Sequence, residues 1–555
     1  MPHINPVELA NRFQSPGGDD WAAFMDRLLA AACWESGIPA SELRTNLRTD
    51  IKDGGVDSRV SKGSLQDISG YLSDLSIWQY KAAHEANLSD TKLVAEVMKP
   101  FAKERIQQGD AYRLCLAIQS ADMRRTKLEK QLARKIATFH KNGPAPRVLT
   151  ADDAARLASH FPNFLHDYRG LEFQSRTLTF TAWGKSITAR TPTFVPSKPF
   201  LELETHLRAF TNPSAIPSEP IFIVHGQAAV GKTRAVYESL RSVEAASALV
   251  VYTADAKQAL DFAYILANNN EISAILVIDE ISIETRHRLR ETLEGHKHRI
   301  RTIGIKHDTE PGDFELDSSQ VFHFEQQSVE EVLTANFAAI PNDRLRAYLH
   351  LAEGYLRFAI DLCRNDAHIG IAQGNVLPTL QEVTNYYRRT LGGDQVYLDA
   401  LSLFSRVGRD EDVSGELDKL CEWCGLDRRQ FEERCNELKD APGFVERSAI
   451  YYRVRPALIA RHAFASAWKK WVEVKEEKFF GWVASLPWEM QESFLVRVQS
   501  SAGENERISV RSFYQKEVSR LRPSDLKDQQ KVSRLTSIVE IDPEHYPRCP
   551  AAELL

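Results

Sequence analysis

IFIVHGQAAVGKTR, Ile221 to Arg234, decides how the middle of this chain folds. Four apolar residues of strand character run into Gly226-Gln227-Ala228-Ala229-Val230-Gly231-Lys232-Thr233, and a helix-prone run from Arg234 to Leu240 follows at once. The spacing is that of a phosphate loop, G-x-x-x-x-G-K-[ST]. Backbone N–H groups curl round the phosphates, Lys232 reaches the outer ones, and Thr233 holds Mg²⁺. Side chains at Gly226 and Gly231 would block close backbone approach, and the next helix points its positive end at the anion. The nucleotide-binding residues expected are therefore Gly226 through Arg234.

Downstream, Ala248 to Tyr252 reads as a strand, and Glu271 to Ser282 (EISAILVIDEIS) as the clearest strand in the chain. Ile275-Leu-Val-Ile278 delivers Asp279 and Glu280 to its C-terminal end, where ligands gather in parallel sheets. Asp279 is the expected Mg²⁺-ordering acid, and Glu280 the residue that polarises a water. Arg299 to Ile305 is a further strand, with Thr302, Lys306 and His307 as candidate sensors of the nucleotide. Strands alternating with helices predict a doubly wound α/β domain.

Upstream, residues 20 to 34 place Trp21, Phe24, Leu28, Leu29 and Ala32 at helical spacing. Asp53-Gly-Gly-Val-Asp57 then turns into a strand, and Ile77-Trp-Gln79-Tyr-Lys81 forms a second, with Gln79 and Lys81 on one face. A helical run to Gln108 and a third strand, Tyr112 to Ile118, follow. An acid on one strand and an x-K pair on the next is the layout of a metal-dependent nuclease site: oxygen ligands hold Mg²⁺ and the lysine orients the attacking water. The alternative is an Asp57–Lys81 ion pair on a surface hairpin.

GGVD followed by Q-x-K resembles the PD-(D/E)-x-K nuclease fold in its Mrr-like branch. That resemblance implies a restriction-endonuclease-like α/β/α domain, with Asp57 as metal ligand, Gln79 as second site and metal residue, and Lys81 as catalytic lysine. It also implies an acid from the first helix, for which Asp26 is the best-placed match and Glu35 a substitute. Residues 124 to 141 carry Arg124, Arg125, Lys127, Lys130, Arg134, Lys135 and Lys141 against the single acid Glu129. Such a helix neutralises DNA phosphates or is simply a solvated face. Val148 to Ser159 reads as a strand and helix, and Thr177 to Phe200 as an extended linker around Trp183.

From Ser328 the pattern is helical. Glu353-Gly354-Tyr-Leu356-Arg-Phe-Ala-Ile-Asp-Leu362 resembles the G-x-P region of STAND NTPases, with Leu356 in place of the proline. Gln395–Arg406, Glu416–Trp423 and Arg428–Leu438 read as helices, and Gly443–Arg447 and Ile450–Val454 as two strands of a wing: a winged helix, in which His462 is a β-phosphate contact by analogy. The tail, 470 to 555, is helical, with Trp482, Leu486, Trp488, Phe494 and Leu495 supplying an apolar face; its end, Leu535 to Leu555, looks like one hairpin of a repeat array, which needs further repeats or a partner to bury its face.

The division expected is a nuclease effector at 1–180, a P-loop NTPase core with leading linker at 181–330, a helical lid at 331–392, a winged helix at 393–470 and a helical tail at 471–555, the start of helical repeats. A chain of 555 residues exceeds one hydrophobic core and implies roughly three to five domains. Charged content of 26% and a net charge of -6 leave a local DNA-binding surface possible. No apolar run approaches the ~18 residues of a membrane helix, and the seven scattered cysteines fit a reducing cytoplasm. Cys421 and Cys424, with Cys435, read as buried thiols more readily than as a zinc site.

The module order resembles the bacterial antiviral STAND proteins. That implies ATP and Mg²⁺ as cofactors, self-association into a higher oligomer, double-stranded DNA as substrate, a viral protein or other ligand as activator, and no membrane. The rivals are an ATP-driven DNA translocase, whose second-core helicase motifs are not found, and a nucleotide-gated scaffold with an inactive nuclease-like domain.

Overall fold

The computed structural model describes residues 3–518 apart from 14–17, 46–54, 65–69, 83–87, 120–121, 174–176, 190–192, 227–229, 244, 280, 282, 307–320, 324–328, 353–354, 367–382, 384, 386–387, 390, 410–414, 441–443, 448–450 and 456. They group into two compact units, one drawn from Met1–Ala189, Pro196–Gly226 and Lys232–Glu325, the other from Arg190–Val195, Gln227–Gly231 and Gln326–Leu555.

The first unit holds two sheets. Strands β1 (Leu43–Thr45), β2 (Ser58–Val60), β3 (Ser76–Lys81), β4 (Ala111–Leu116) and β5 (Arg147–Leu149) lie side by side in chain order. The first three are antiparallel neighbours, and β3, β4 and β5 run parallel. β4 is buried along its whole length, as a strand covered on both faces must be. One face meets the Gly18–Glu35 helix, where Trp21 Nε1 donates to the Cys115 carbonyl at 3.4 Å. On the other, Leu93, Ile106, Leu128 and Leu132 from helices Asp90–Ala95, Pro100–Gln107 and Asp122–Ala137 share a cluster with Ile77 and Leu114.

The second sheet comprises β6 (Thr177–Thr179), β7 (Ile221–His225), β8 (Val250–Thr253), β9 (Ala274–Asp279), β10 (Ile300–Lys306) and β11 (Val321–His323). Its order is β11-β7-β10-β9-β8-β6, all parallel except β6 at the edge. The periodicity forecasts the alternation of strand and helix; that β10 lies between β7 and β9 is settled only by tertiary pairing.

Two local readings change. The stretch read as a linker contains β6, which pairs with β8, and the helix Phe180–Thr188. Trp183 is 1% exposed, stacked on Tyr252 at 4.6 Å and edge-on to Tyr237 at 5.1 Å. Thr and Ser there serve a strand and an N-cap, Thr179 accepting from the Ala182 amide. Likewise Ala246–Leu249 is a short helix before β8 rather than the beginning of the strand.

The first sheet's module packs on the second through this short helix. Asn163, fully buried, donates to the Ser247 and Val250 carbonyls at 3.0 and 2.8 Å, and Arg27 donates to Ser247 O at 2.6 Å.

In the second unit, helices Gln395–Ser402, Glu416–Cys424 and Arg428–Asp440 accompany a three-stranded sheet, β12 (Val407–Gly408), β14 (Tyr451–Val454) and β13 (Val445–Arg447) in spatial order. The two wing strands are present, and β12 adds a third. The hairpin expected at 535–555 lies outside the described residues, while the tail's apolar face does not stand apart. Leu486, Phe494 and Leu495 join the same core as Leu398, Leu420 and Phe464, and Trp482 stacks on Trp423 at 4.8 Å. A helix face that looks unsatisfied in sequence is satisfied by non-local neighbours. Burial pushes the Cys421 thiol up to about 12 and raises Cys424 and Cys435 too, which leaves inert buried thiols. No group of three or more His, Cys, Asp and Glu among the described residues is arranged to hold a metal, and no described helix is long and apolar enough to cross a membrane.

Trp183→Ala is expected to cost about 3–5 kcal/mol, the loss for a buried aromatic, read as accelerated amide exchange in β8 and a lowered melting temperature. A linker tryptophan would leave both unchanged.

Candidate functional sites

At the C-terminal end of the second sheet, the predicted phosphate-loop residues come together with the predicted acid. Gly231 has φ of 98°, a conformation open to glycine and costly for other residues. Val230 is buried. Lys232 opens the helix Lys232–Arg241 and is 4% exposed, its ammonium donating to the Gly226 carbonyl at 2.5 Å. Thr233 Oγ1 donates to Asp279 Oδ2 at 3.0 Å, and the Tyr252 hydroxyl donates to the same oxygen at 3.1 Å. Arg234 turns along its helix to pair with Glu238 at 2.7 Å. Gln227, Ala228, Ala229 and Glu280 lie outside the described residues, as do Glu353, Gly354 and His307.

The donor set suits a nucleotide with Mg²⁺. A buried ammonium meets phosphate charge, while a hydroxyl and a carboxylate are hard oxygen donors of the kind Mg²⁺ takes beside phosphates. Strand register sorts the sensor candidates. Lys306 pairs with His225 at the loop end of the sheet, whereas Thr302 pairs with Ile221 at the far end. Tyr252 was not anticipated; a tyrosine ending an apolar run carries no motif that marks it. On the second unit, His462 Nε2 lies 3.0 Å from an Arg388 guanidinium nitrogen, and burial followed by that charge lowers its pKa.

The second constellation surrounds β3. Asp57 is 7% exposed, and its Oδ2 accepts from the Tyr80 amide at 2.6 Å. Gln79 is 1% exposed and spent inside the protein: Oε1 accepts from the Tyr112 hydroxyl and Nε2 donates to Glu96. Lys81 pairs with Glu96 at 3.4 Å, as does Lys99 at 2.8 Å. The ion pair drawn from the sequence between Lys81 and Asp57 is thus replaced by one with Glu96. Partial burial would raise the Glu96 pKa, but the Lys99 hydrogen bond, the Lys81 charge and the Gln79 amide outweigh it and hold the carboxyl below its usual range.

Glu96 is the acid that sequence reasoning missed. It sits in a short 3-10 turn after Asp90–Ala95, fifteen residues from Lys81, with Lys99 at i+3 its one local signal. The two first-helix acids part company. Glu35 accepts from Ser273 Oγ at 2.7 Å, at the contact between the two sheet modules. Asp26 stays near β3 and acts on Tyr80 together with Asp57: burial first, then Cys115, Asp26 and Asp57, raise the Tyr80 phenol well above its ordinary value, against the Ser58 hydrogen bond. Alternation puts Tyr80 and Gln79 on opposite faces of the strand. Whether a metal fits here turns on donor chemistry: Asp57 and Glu96 offer hard oxygens, while one lone pair of Gln79 Oε1 is taken by Tyr112.

No protein-family model matches the sequence, and no curated protein matches it. Among solved structures, the chain is similar to a Signal Transduction ATPase with Numerous Domains (STAND) protein with a tetratricopeptide repeat sensor from Pyrococcus horikoshii, at 12% identity and a TM-score of 0.26, over 63% of this chain and 58% of that one. It is also similar to PCH-2 of C. elegans, at 13% identity and a TM-score of 0.22, over 52% of this chain and 72% of that one. The chain thus spans less than two thirds of the length of the STAND protein.

Two outcomes follow from that geometry. Lys232→Ala should weaken binding of a fluorescent ATP analogue by about 10- to 100-fold, the loss of one charge-assisted phosphate contact. Because the folded Glu96 pKa is depressed, its contribution to stability is complete above the ordinary carboxyl value of 4.5 and is lost as pH falls through the lower folded value. The urea-midpoint difference between wild type and Glu96→Gln should therefore shrink on going from pH 6 toward acid.

Proposed function

We propose that this chain is a nucleotide-gated switch: ATP with Mg²⁺ binds the loop of Gly226–Thr233, and the bound state licenses an N-terminal DNA endonuclease. The observation that carries the nucleotide half is the convergence of Thr233 and Tyr252 on Asp279 Oδ2 beside the buried ammonium of Lys232. Lys232 would meet the phosphate charge, and Thr233 and Asp279 would hold the Mg²⁺ that neutralises it, with Tyr252 keeping the carboxylate in place.

For the effector half, support comes from the grouping of Asp57, Gln79, Lys81 and Glu96 about one strand. In this reading Asp57 and Glu96 hold the divalent ion, Gln79 orients Glu96, and Lys81 orients the attacking water. The substrate is the phosphodiester backbone of double-stranded DNA. ATP-driven self-association is the gate, since paired sites are needed to cut both strands. A viral component is the activating ligand that the resemblance to antiviral STAND proteins implies.

A second reading is favoured by one observation: Gln79 stands where an acid would serve, and the Lys81 ammonium is already paired. The domain would then bind without cutting. Plasmid cleavage with Mg²⁺ decides between them. Nicking by the wild type, abolished in both Asp57→Ala and Lys81→Ala, is the expected result; no nicking by wild type under any nucleotide condition leaves the scaffold. Light scattering should show a mass increase with ATP in wild type and none in Lys232→Ala, and equal masses throughout would overturn the gate.

A further inference from the structure

The helix Asp122–Ala137 presents two chemically different sets of cations. Arg124 and Arg125 are committed: Arg124 pairs with Asp90 at 3.1 Å and donates to the Leu88 carbonyl at 3.0 Å, while Arg125 pairs with Asp122 at 2.9 Å and Asp153 at 3.2 Å. Glu129 is likewise spent, accepting from the Val148 amide at 3.0 Å. Lys127, Lys130 and Arg134 are exposed and have no acidic partner among the described residues. They line one groove, together with Thr126 and Gln131; the groove's one carboxylate, Asp122, is held by Arg125.

The helix cannot rotate to hide this stripe. Leu128, Leu132 and Ile136 are buried in the sheet's core, and at 100° per residue Lys127, Lys130 and Arg134 fall on the opposite side. Arg124 further pins the helix to the segment that leads into Asp90–Ala95 and Glu96. The helix follows β4, whose Leu116 is the register partner of Lys81, so its first turns start at the strand end where Lys81 lies.

We propose that Lys127, Lys130 and Arg134 are a contact surface for the sugar–phosphate backbone of duplex DNA. The inference rests on the reading of the first module as acting on DNA. Charge complementarity argues for this partner: on a chain of net charge -6, three neighbouring cations without acidic partners are a local cationic strip. The strip runs about 10 Å along the helix at 1.5 Å per residue. At a rise of about 3.4 Å per nucleotide on one strand, that is the reach of about three phosphates. Thr126 and Gln131 add uncharged hydrogen-bonding groups. Nothing in the strip reads base edges, so binding through it is independent of sequence.

The test is fluorescence anisotropy of the full chain with a labelled random-sequence 30-base-pair duplex, in EDTA, across 50–200 mM salt. Each phosphate contact contributes about 0.9 to the slope of log affinity against log salt. The triple variant Lys127→Ala, Lys130→Ala, Arg134→Ala should therefore have a slope shallower by about 2.7, whereas Lys127→Arg, Lys130→Arg, Arg134→Lys keeps the wild-type slope. An unchanged slope in the alanine variant overturns the proposal, as does an equal loss in the charge-preserving variant. Tighter competition by single-stranded RNA or poly-glutamate than by duplex also overturns it. Plasmid nicking that survives the triple change but not Asp57→Ala would leave the nuclease reading standing while this surface fails.

Discussion

One carboxylate oxygen organises the end of the second sheet. Asp279 Oδ2 accepts from Thr233, at the start of the helix after the phosphate loop, and from Tyr252, at the end of a different strand. Both hydroxyls arrive only if β7, β10, β9 and β8 keep their register, and each parallel strand needs both faces covered to stay in the sheet. The buried Trp183, stacked on Tyr252, covers part of this sheet. A segment that sequence composition assigns to a linker thus supports the residue that holds the acid.

The same economy of partners governs β3. Gln79 is too deeply buried for its amide to go unsatisfied, and Tyr112 and Glu96 satisfy both ends. That fixes Glu96 beside Lys81, and Lys99 completes its charge balance. The amide in the place of a second acid therefore positions a carboxylate that comes from outside the strand.

The module bearing this cluster is joined to the second sheet by bonds to backbone carbonyls beside the Glu35–Ser273 side-chain pair. Asn163 and Arg27 both bind the Ser247 carbonyl, and Asn163 also binds Val250 O at the first residue of β8. The Ser273 amide, just before β9, donates to the His160 carbonyl at 2.9 Å. Backbone anchors of this kind make the position of the first module depend on the strands that carry Tyr252 and Asp279.

Read alone, the residues from Ile221 to Thr233 and from Ile275 to Asp279 determined two buried strands and the helix that opens at Lys232, because each depends on a short run of chain with a fixed spacing. The wing strands and their helices were legible for the same reason: local periodicity reports local structure. Tertiary structure alone decided the order of strands that puts β10 between β7 and β9, the burial of the tail's apolar face (Leu486, Phe494, Leu495) in the second unit's core, and the strand hidden in the supposed linker. It alone put Glu96 beside Gln79, and brought Tyr252 to Asp279. Each of these depends on which distant segment fills a vacant edge, face or hydrogen bond. A side chain's own neighbours in sequence carry no record of that choice.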